Sequence, residues 1–70
     1  MKKIYSADEF GSMAKKRRKE LGYTQKYISE FTGLSISYIS DVENGKPTAE
    51  FGKIIKLANI LGLDMTVAER

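Results

Sequence analysis

"YTQKYISEFTGLSISYISDVENGK", Tyr23 to Lys46, holds two short segments hinged at Gly33, and the reading of that hinge decides the fold. Thr24 can cap a helix from Gln25 to about Thr32, with Ile28 and Phe31 facing inward and Gly33 breaking it. Ser35 can cap the next helix, whose inward residues are Ile39 and Val42, and Gly45 is placed to take the left-handed conformation that ends it. The opposite face of that helix carries Ser37, Tyr38, Ser40 and Asp41. These are short or flat hydrogen-bonding groups, not the Glu/Lys cover of a solvated helix, and such a face suits contact with a partner.

Outward from this stretch the pattern stays helical. Ser6 followed by Glu9 is a capping-box pattern, and Phe10, Met13, Ala14 and Leu21 then recur at helical spacing up to the stop signal Gly22, which predicts a first helix over 7–21. After Lys46-Pro47, Thr48 is placed to cap a fourth helix carrying Phe51, Ile54, Ile55, Ala58 and Leu61 inward and ending at Gly62. The period then changes: Leu63, Met65 and Val67 alternate with Asp64 and Thr66, the signature of a short half-buried strand over 64–68. No internal repeat, linker or low-complexity segment interrupts the chain, so 1–70 reads as a single domain.

Composition narrows the chemistry. Seventy residues make one small domain that buries only about 60% of its unfolded surface, leaving little room for a catalytic cleft. The chain has no cysteine and no histidine, which excludes disulfide staples, zinc-finger ligand sets and the common nucleophile and base pairs. No catalytic residue, metal site or cofactor is expected, and the reading is not that of an enzyme. No apolar run approaches the roughly 20 residues that span a bilayer. "MKKIYSADEF" turns acidic before any signal-peptide core, so a cytoplasmic location without a membrane partner is expected. A net charge of +3 is compatible with a polyanion but does not identify one.

Two short helices joined by a tight turn, in a basic helical domain, form the helix-turn-helix arrangement, in which the second helix lies in the DNA major groove. The residues sharpen this. From the Thr-Gln entry through the turn glycine to Glu-Asn-Gly-Lys, the stretch resembles the helix-turn-helix (24–44) of the Cro/C1 repressor-like, or XRE, family, and the likeness extends to nearly the whole chain. Within it, "ENGKPTAEFGKIIKLANILGLDMTV" is most similar to the HipB-like antitoxins, which end in a short strand after "LGLD". The resemblance implies an all-α, lambda repressor-like bundle of four to five short helices with a C-terminal strand (64–68) used for dimerisation. It implies a sequence-specific repressor that binds a palindromic operator in double-stranded DNA as a homodimer and regulates its own operon. A HipA-like kinase toxin is the further partner it suggests.

Carried over by position, the resemblance assigns phosphate contacts to Thr24 and Gln25 at one helix start, and to Asn44 and Lys46 at the end of the next. The first pair is physically apt, since a helix N-terminus presents unpaired amides and positive potential to an anion. Ile36, Ser37 and Asp41 fall where the family reaches base edges, with Tyr38 and Ser40 beside them. A short polar face fits a groove about 12 Å wide. Ile36 can offer only apolar contact, to a thymine methyl or a sugar; Asp41 either accepts from a cytosine amino group or orients a neighbouring cation. The family also pairs an arginine at Arg18 with the glutamate at Glu43, as a partly buried ion pair that fixes the angle of the reading helix. The rest of the basic run, Lys15, Lys16, Arg17 and Lys19, reads as a solvated face.

A lone strand leaves half its backbone groups unpaired, so 64–68 calls for a partner: its copy in a second chain, or the segment 2–5. Leu57 and Ile60, apolar yet off the predicted stripe of the fourth helix, join Leu63, Met65 and Val67 as the expected dimer interface; the alternative is scattered surface hydrophobics. The competing function is a protein-interaction adaptor that keeps the helical fold without specific DNA binding, which Asp41 and the modest net charge favour and the Gln25, Asn44 and Lys46 set opposes.

Overall fold

Three hydroxyl groups start three helices. In the computed structural model, which describes residues 2–70, Ser6, Thr24 and Ser35 cap α1 (Ala7–Glu20), α2 (Gln25–Thr32) and α3 (Ile36–Glu43). Their side-chain oxygens accept from the backbone N–H groups of Glu9 at 3.1 Å, Tyr27 at 3.0 Å and Tyr38 at 3.0 Å, each a bond typically worth about 1 kcal/mol. The Glu9 carboxylate closes the first cap by accepting from the Ser6 hydroxyl at 3.2 Å.

The fourth helix departs from expectation. α4 (Phe51–Ile60) begins after Glu50, which makes no side-chain cap bond, and Thr48 lies in the connection before it. Packing explains the late start. The residues of α4 that reach the core, Leu57 and Ala58 with Ile54 beside them, lie beyond its first turn, and Phe51 is 69% exposed, so extending the helix back to Thr48 would bury nothing. Ile55 is half-buried.

Ile28, Ile39, Leu57 and Leu61 are fully enclosed, each contributing about 1.5–3 kcal/mol by leaving water, and Ala14, Leu34, Val42 and Ala58 complete the core. α3 packs on both α1 and α2, and α2 also packs on α4. α1 and α3 touch backbone to backbone, since a Cβ on Gly11 would collide with the carbonyl oxygen of Val42. Arg17 belongs to this scaffold rather than to a solvated face: its Nε donates to the Leu61 carbonyl at 2.9 Å and joins α1 to the end of α4.

Phe31, expected inside, is 66% exposed and stacks on Tyr27 with ring centroids 5.0 Å apart. The inward position goes to Thr32, one full turn from Ile28. Its hydroxyl donates to the Ile28 carbonyl at 2.7 Å and accepts from Leu34 N at 3.1 Å. Gly33, at φ +78°, then reverses the chain and Leu34 drops into the core.

Among the described residues no β-strand forms, and the expected strand over 64–68 is exposed chain without regular structure. A strand is held by a ladder of backbone hydrogen bonds, and none joins this segment to 2–5. The expected interface changes with it. Leu57, 2% exposed, is a core residue of its own chain, and Ile60 and Leu63 are half-buried against that core. Met65 and Val67 are exposed. Leu57 was expected outside because helical spacing from Phe51 suggested a stripe rotated from the one that packs.

Candidate nucleic-acid interface

The turn at Gly33 sets α2 and α3 so that the outer face of α3 is open while Ile39 and Val42 hold its inner face. Ile36 and Ser37 at its start are exposed, and Ser40 and Asp41 a turn later are half-buried. Tyr38 sits differently from its neighbours. Its ring packs against the core with Lys53 Nζ 5.5 Å from the ring centre, and its hydroxyl is buried without a hydrogen-bond partner. Burial, and secondarily the charge of Glu50, raises its pKa above the usual tyrosine value.

At the end of α3 the polar groups are tied to one another. Asn44 Nδ2 donates to the Ser40 carbonyl at 2.9 Å, and Lys46 Nζ lies 3.4 Å from Asp41 Oδ2. That contact is the one the cation-orienting role of Asp41 calls for. Both members of that pair stay about half exposed, so their attraction is worth at most about 1 kcal/mol and the lysine remains available to an anion.

At the start of α2, Thr24 uses its oxygen as a cap acceptor, leaving its hydroxyl hydrogen free to donate outward. Gln25 is half-buried, and its Nε2 donates to Glu43 Oε1 at 3.1 Å. Glu43 is also held by Arg18, from Nε at 2.6 Å and from Nη2 at 3.1 Å, while Arg18 Nη1 donates to the Tyr23 carbonyl at 2.8 Å. The carboxylate side chain is 3% exposed. The hydrogen bond to Glu43 raises the Arg18 pKa, its burial lowers it, and the charge of Glu43 adds to the rise. One buried carboxylate therefore joins α1, α2 and α3.

The structure thus gathers Thr24, Gln25, Ile36, Ser37, Ser40, Asp41, Asn44 and Lys46 on two adjoining helices and the loop that follows them. It sets apart Leu57, Ile60 and Leu63, which serve the core. Sequence reading missed the bond from Gln25 to Glu43, because no spacing rule links residues 18 apart on separate helices. It also missed Thr32, whose helical offset of four from Ile28 was the available signal. Among the described residues no group of acidic, histidine or cysteine side chains could hold a metal ion, and no helix is long and apolar enough to cross a membrane.

Comparison with known proteins agrees with this geometry. Residues 15–67 match the model of the HTH_3 helix-turn-helix family. The HTH-type transcriptional regulator y4mF of Sinorhizobium fredii is 30% identical over 66 residues, covering 94% of this chain and 87% of that protein. The ImmF control region 10 kDa protein of Bacillus phage phi105 is 30% identical over 59 residues, covering 84% of this chain and 66% of its own length. Among solved structures, a HipB–O4 20mer complex superposes with a TM-score of 0.89 at 28% identity, covering 99% of this chain and 97% of that one. A HipA–HipB–O2–O3 complex gives 0.90 at the same identity and coverage. With its two capped helices, its turn at Gly33 and the open face of α3, the chain belongs to the HTH_3 helix-turn-helix family, as a Cro/C1-type domain with the lambda repressor-like fold.

Proposed function

We propose that the whole chain acts as one DNA-binding domain, a cytoplasmic, sequence-specific repressor of the HipB-like antitoxin type. In this reading it binds a palindromic operator as a homodimer and regulates its own operon. The observation that carries the reading is the short polar face of α3, open beside the capped start of α2. Ser37, Ser40 and Asp41 read base edges in the major groove, Ile36 supplies apolar contact, and Tyr38 borders them from its half-buried seat. Thr24, Gln25, Asn44 and Lys46 hold phosphates and set register. Arg18 and Glu43 fix the angle of α3. The structural likeness to HipB in complexes with O4 and with HipA supports the DNA-binding role and suggests a HipA-like partner.

Two copies are part of the proposal because one helix in one groove reads only a few base pairs, and family members of this docking type pair half-sites about one turn apart. Met65 and Val67 are the members of the expected interface that remain exposed and free to meet a second chain. The adaptor reading draws on the Asp41–Lys46 pair, which offsets a cation beside the proposed reading face.

Selection of bound sequences from a random duplex pool tests both readings. The expected result is a palindromic consensus with half-sites about ten base pairs apart. A pool that emerges without a consensus favours the adaptor, and a consensus without two-fold symmetry removes the homodimer.

A further inference from the structure

We infer that Glu43 is a positioning residue for the phosphate grip of Gln25, so that the anchor of α3 and the grip of α2 form one unit. This rests on the DNA-binding reading above. Glu43 lies at the C-terminal end of α3, faces inward and touches no exposed surface that DNA could meet. Its carboxylate accepts three hydrogen bonds, two from Arg18 and one from Gln25.

The chemistry of that arrangement is directional. A carboxylate only accepts, so the group Gln25 turns toward Glu43 must be its NH₂. One of the two hydrogens on Nε2 is then spent on Glu43 at 3.1 Å, and the second projects away from it. Gln25 is the first residue of α2, so its side chain rises from the helix start, whose unpaired amides favour an anion. A free glutamine samples both orientations of its amide, only one of which can donate to a phosphate, and would lose side-chain freedom on binding. Glu43 removes both costs beforehand. Arg18 in turn holds Glu43 from Nε and Nη2 and is braced by the Tyr23 carbonyl, immediately before the α2 cap. The nitrogen of Gln25 thereby bridges two anions, the carboxylate of α3 and a phosphate, with the guanidinium as the balancing charge.

Two measurements on the full chain test this. Gln25 is the only glutamine, so its side-chain amide is a single labelled site in a ¹⁵N-glutamine sample. In the protein without DNA, its two N–H protons should exchange with water at rates differing by about tenfold or more, as for one bonded and one free hydrogen. Equal rates would show an untethered amide and overturn the inference whatever the chain binds. The second measurement is affinity for a mixed-sequence duplex of about 20 base pairs, because a phosphate grip is indifferent to sequence. Gln25→Ala should weaken binding about 10- to 100-fold in the native background. In Glu43→Gln, whose amide no longer dictates the orientation of Gln25, the same change should cost less than about threefold. Independent losses that simply multiply would overturn the positioning role while leaving DNA binding intact. No binding by the native chain would sink the DNA reading itself, and the grip with it. Should Glu43→Gln fail to fold, the exchange rates decide.

Discussion

Arg18 on α1 and Glu43 on α3 meet in a two-pronged ion pair, Nε to Oε2 at 2.6 Å and Nη2 to Oε1 at 3.1 Å, with side chains 12% and 3% exposed. Removing one partner strands a buried charge, which costs about 3–5 kcal/mol, a large share of the roughly 5–15 kcal/mol that holds a typical domain. Arg18→Ala should therefore melt far below the native chain. Lys16→Ala, on the exposed side of the same helix, should stay within about 0.5 kcal/mol of it. Thermal and urea melts of the two variants are the measurement, and coincident midpoints would show that the pair contributes nothing to the fold.

Two helical glycines should respond oppositely to alanine. At Gly11 the added methyl meets the Val42 carbonyl oxygen, so α1 and α3 must separate, with an expected loss of about 1–3 kcal/mol. At Gly52 nothing lies within 4 Å, and the better helix propensity of alanine should stabilise by up to about 1 kcal/mol. Paired denaturation curves read the sign of each change directly.

Tyr38 carries a buried hydroxyl without a partner, and an unsatisfied group of this kind costs about 1–3 kcal/mol. Tyr38→Phe should accordingly be neutral or stabilising at pH 7. Burial raises the Tyr38 pKa in the folded chain, so the folded state holds that proton more tightly than the unfolded state does. Stability from this group is complete below about pH 10, the unfolded tyrosine range, and declines as pH rises through the folded value. Melts from pH 8 to about pH 11 should show a shallower decline in Tyr38→Phe than in the native chain.

The Asp41–Lys46 pair predicts a change in DNA discrimination. Asp41→Asn removes a negative charge from the proposed reading face and releases Lys46 Nζ, now 3.4 Å from that carboxylate. Affinity for mixed-sequence duplex should rise. Lys46→Ala should lower it and make the log–log salt slope shallower by about 0.9, one released counterion. Ser37→Ala should instead relax preference at one base position, by about 1–3 kcal/mol of discrimination. Fluorescence-anisotropy titrations across a salt series distinguish these patterns, and an identical response from all three variants would remove the division between base and phosphate contacts.

Local chemistry by itself determined where most of the helices lie. Ser6, Thr24 and Ser35 cap their helices because a hydroxyl one residue before a helix satisfies an amide that nothing else nearby can, and Gly33 ends α2 because it accepts a positive φ at little cost. Ile28, Ile39 and Val42 were legible as core from helical spacing for the same reason: the rule concerns residues within one or two turns. The placement of polar residues on the outer face of α3 followed from that spacing too. Tertiary structure decided what depends on a neighbour distant in sequence. Thr48 does not cap α4, because a start there would add only exposed residues to the helix, and Leu57 moved from the expected surface to the core by the packing of α4 on α2. Phe31 lies outside and Thr32 inside, where the Thr32 hydroxyl closes the turn by donating to the Ile28 carbonyl and accepting from Leu34 N. The segment 64–68 alternates like a strand yet forms none, since alternation fixes only which face a side chain would take and the hydrogen bonds of a strand come from another segment. Likewise, no local rule joins Gln25 to Glu43; only the crossing of α2 and α3 brings that amide and that carboxylate within 3.1 Å.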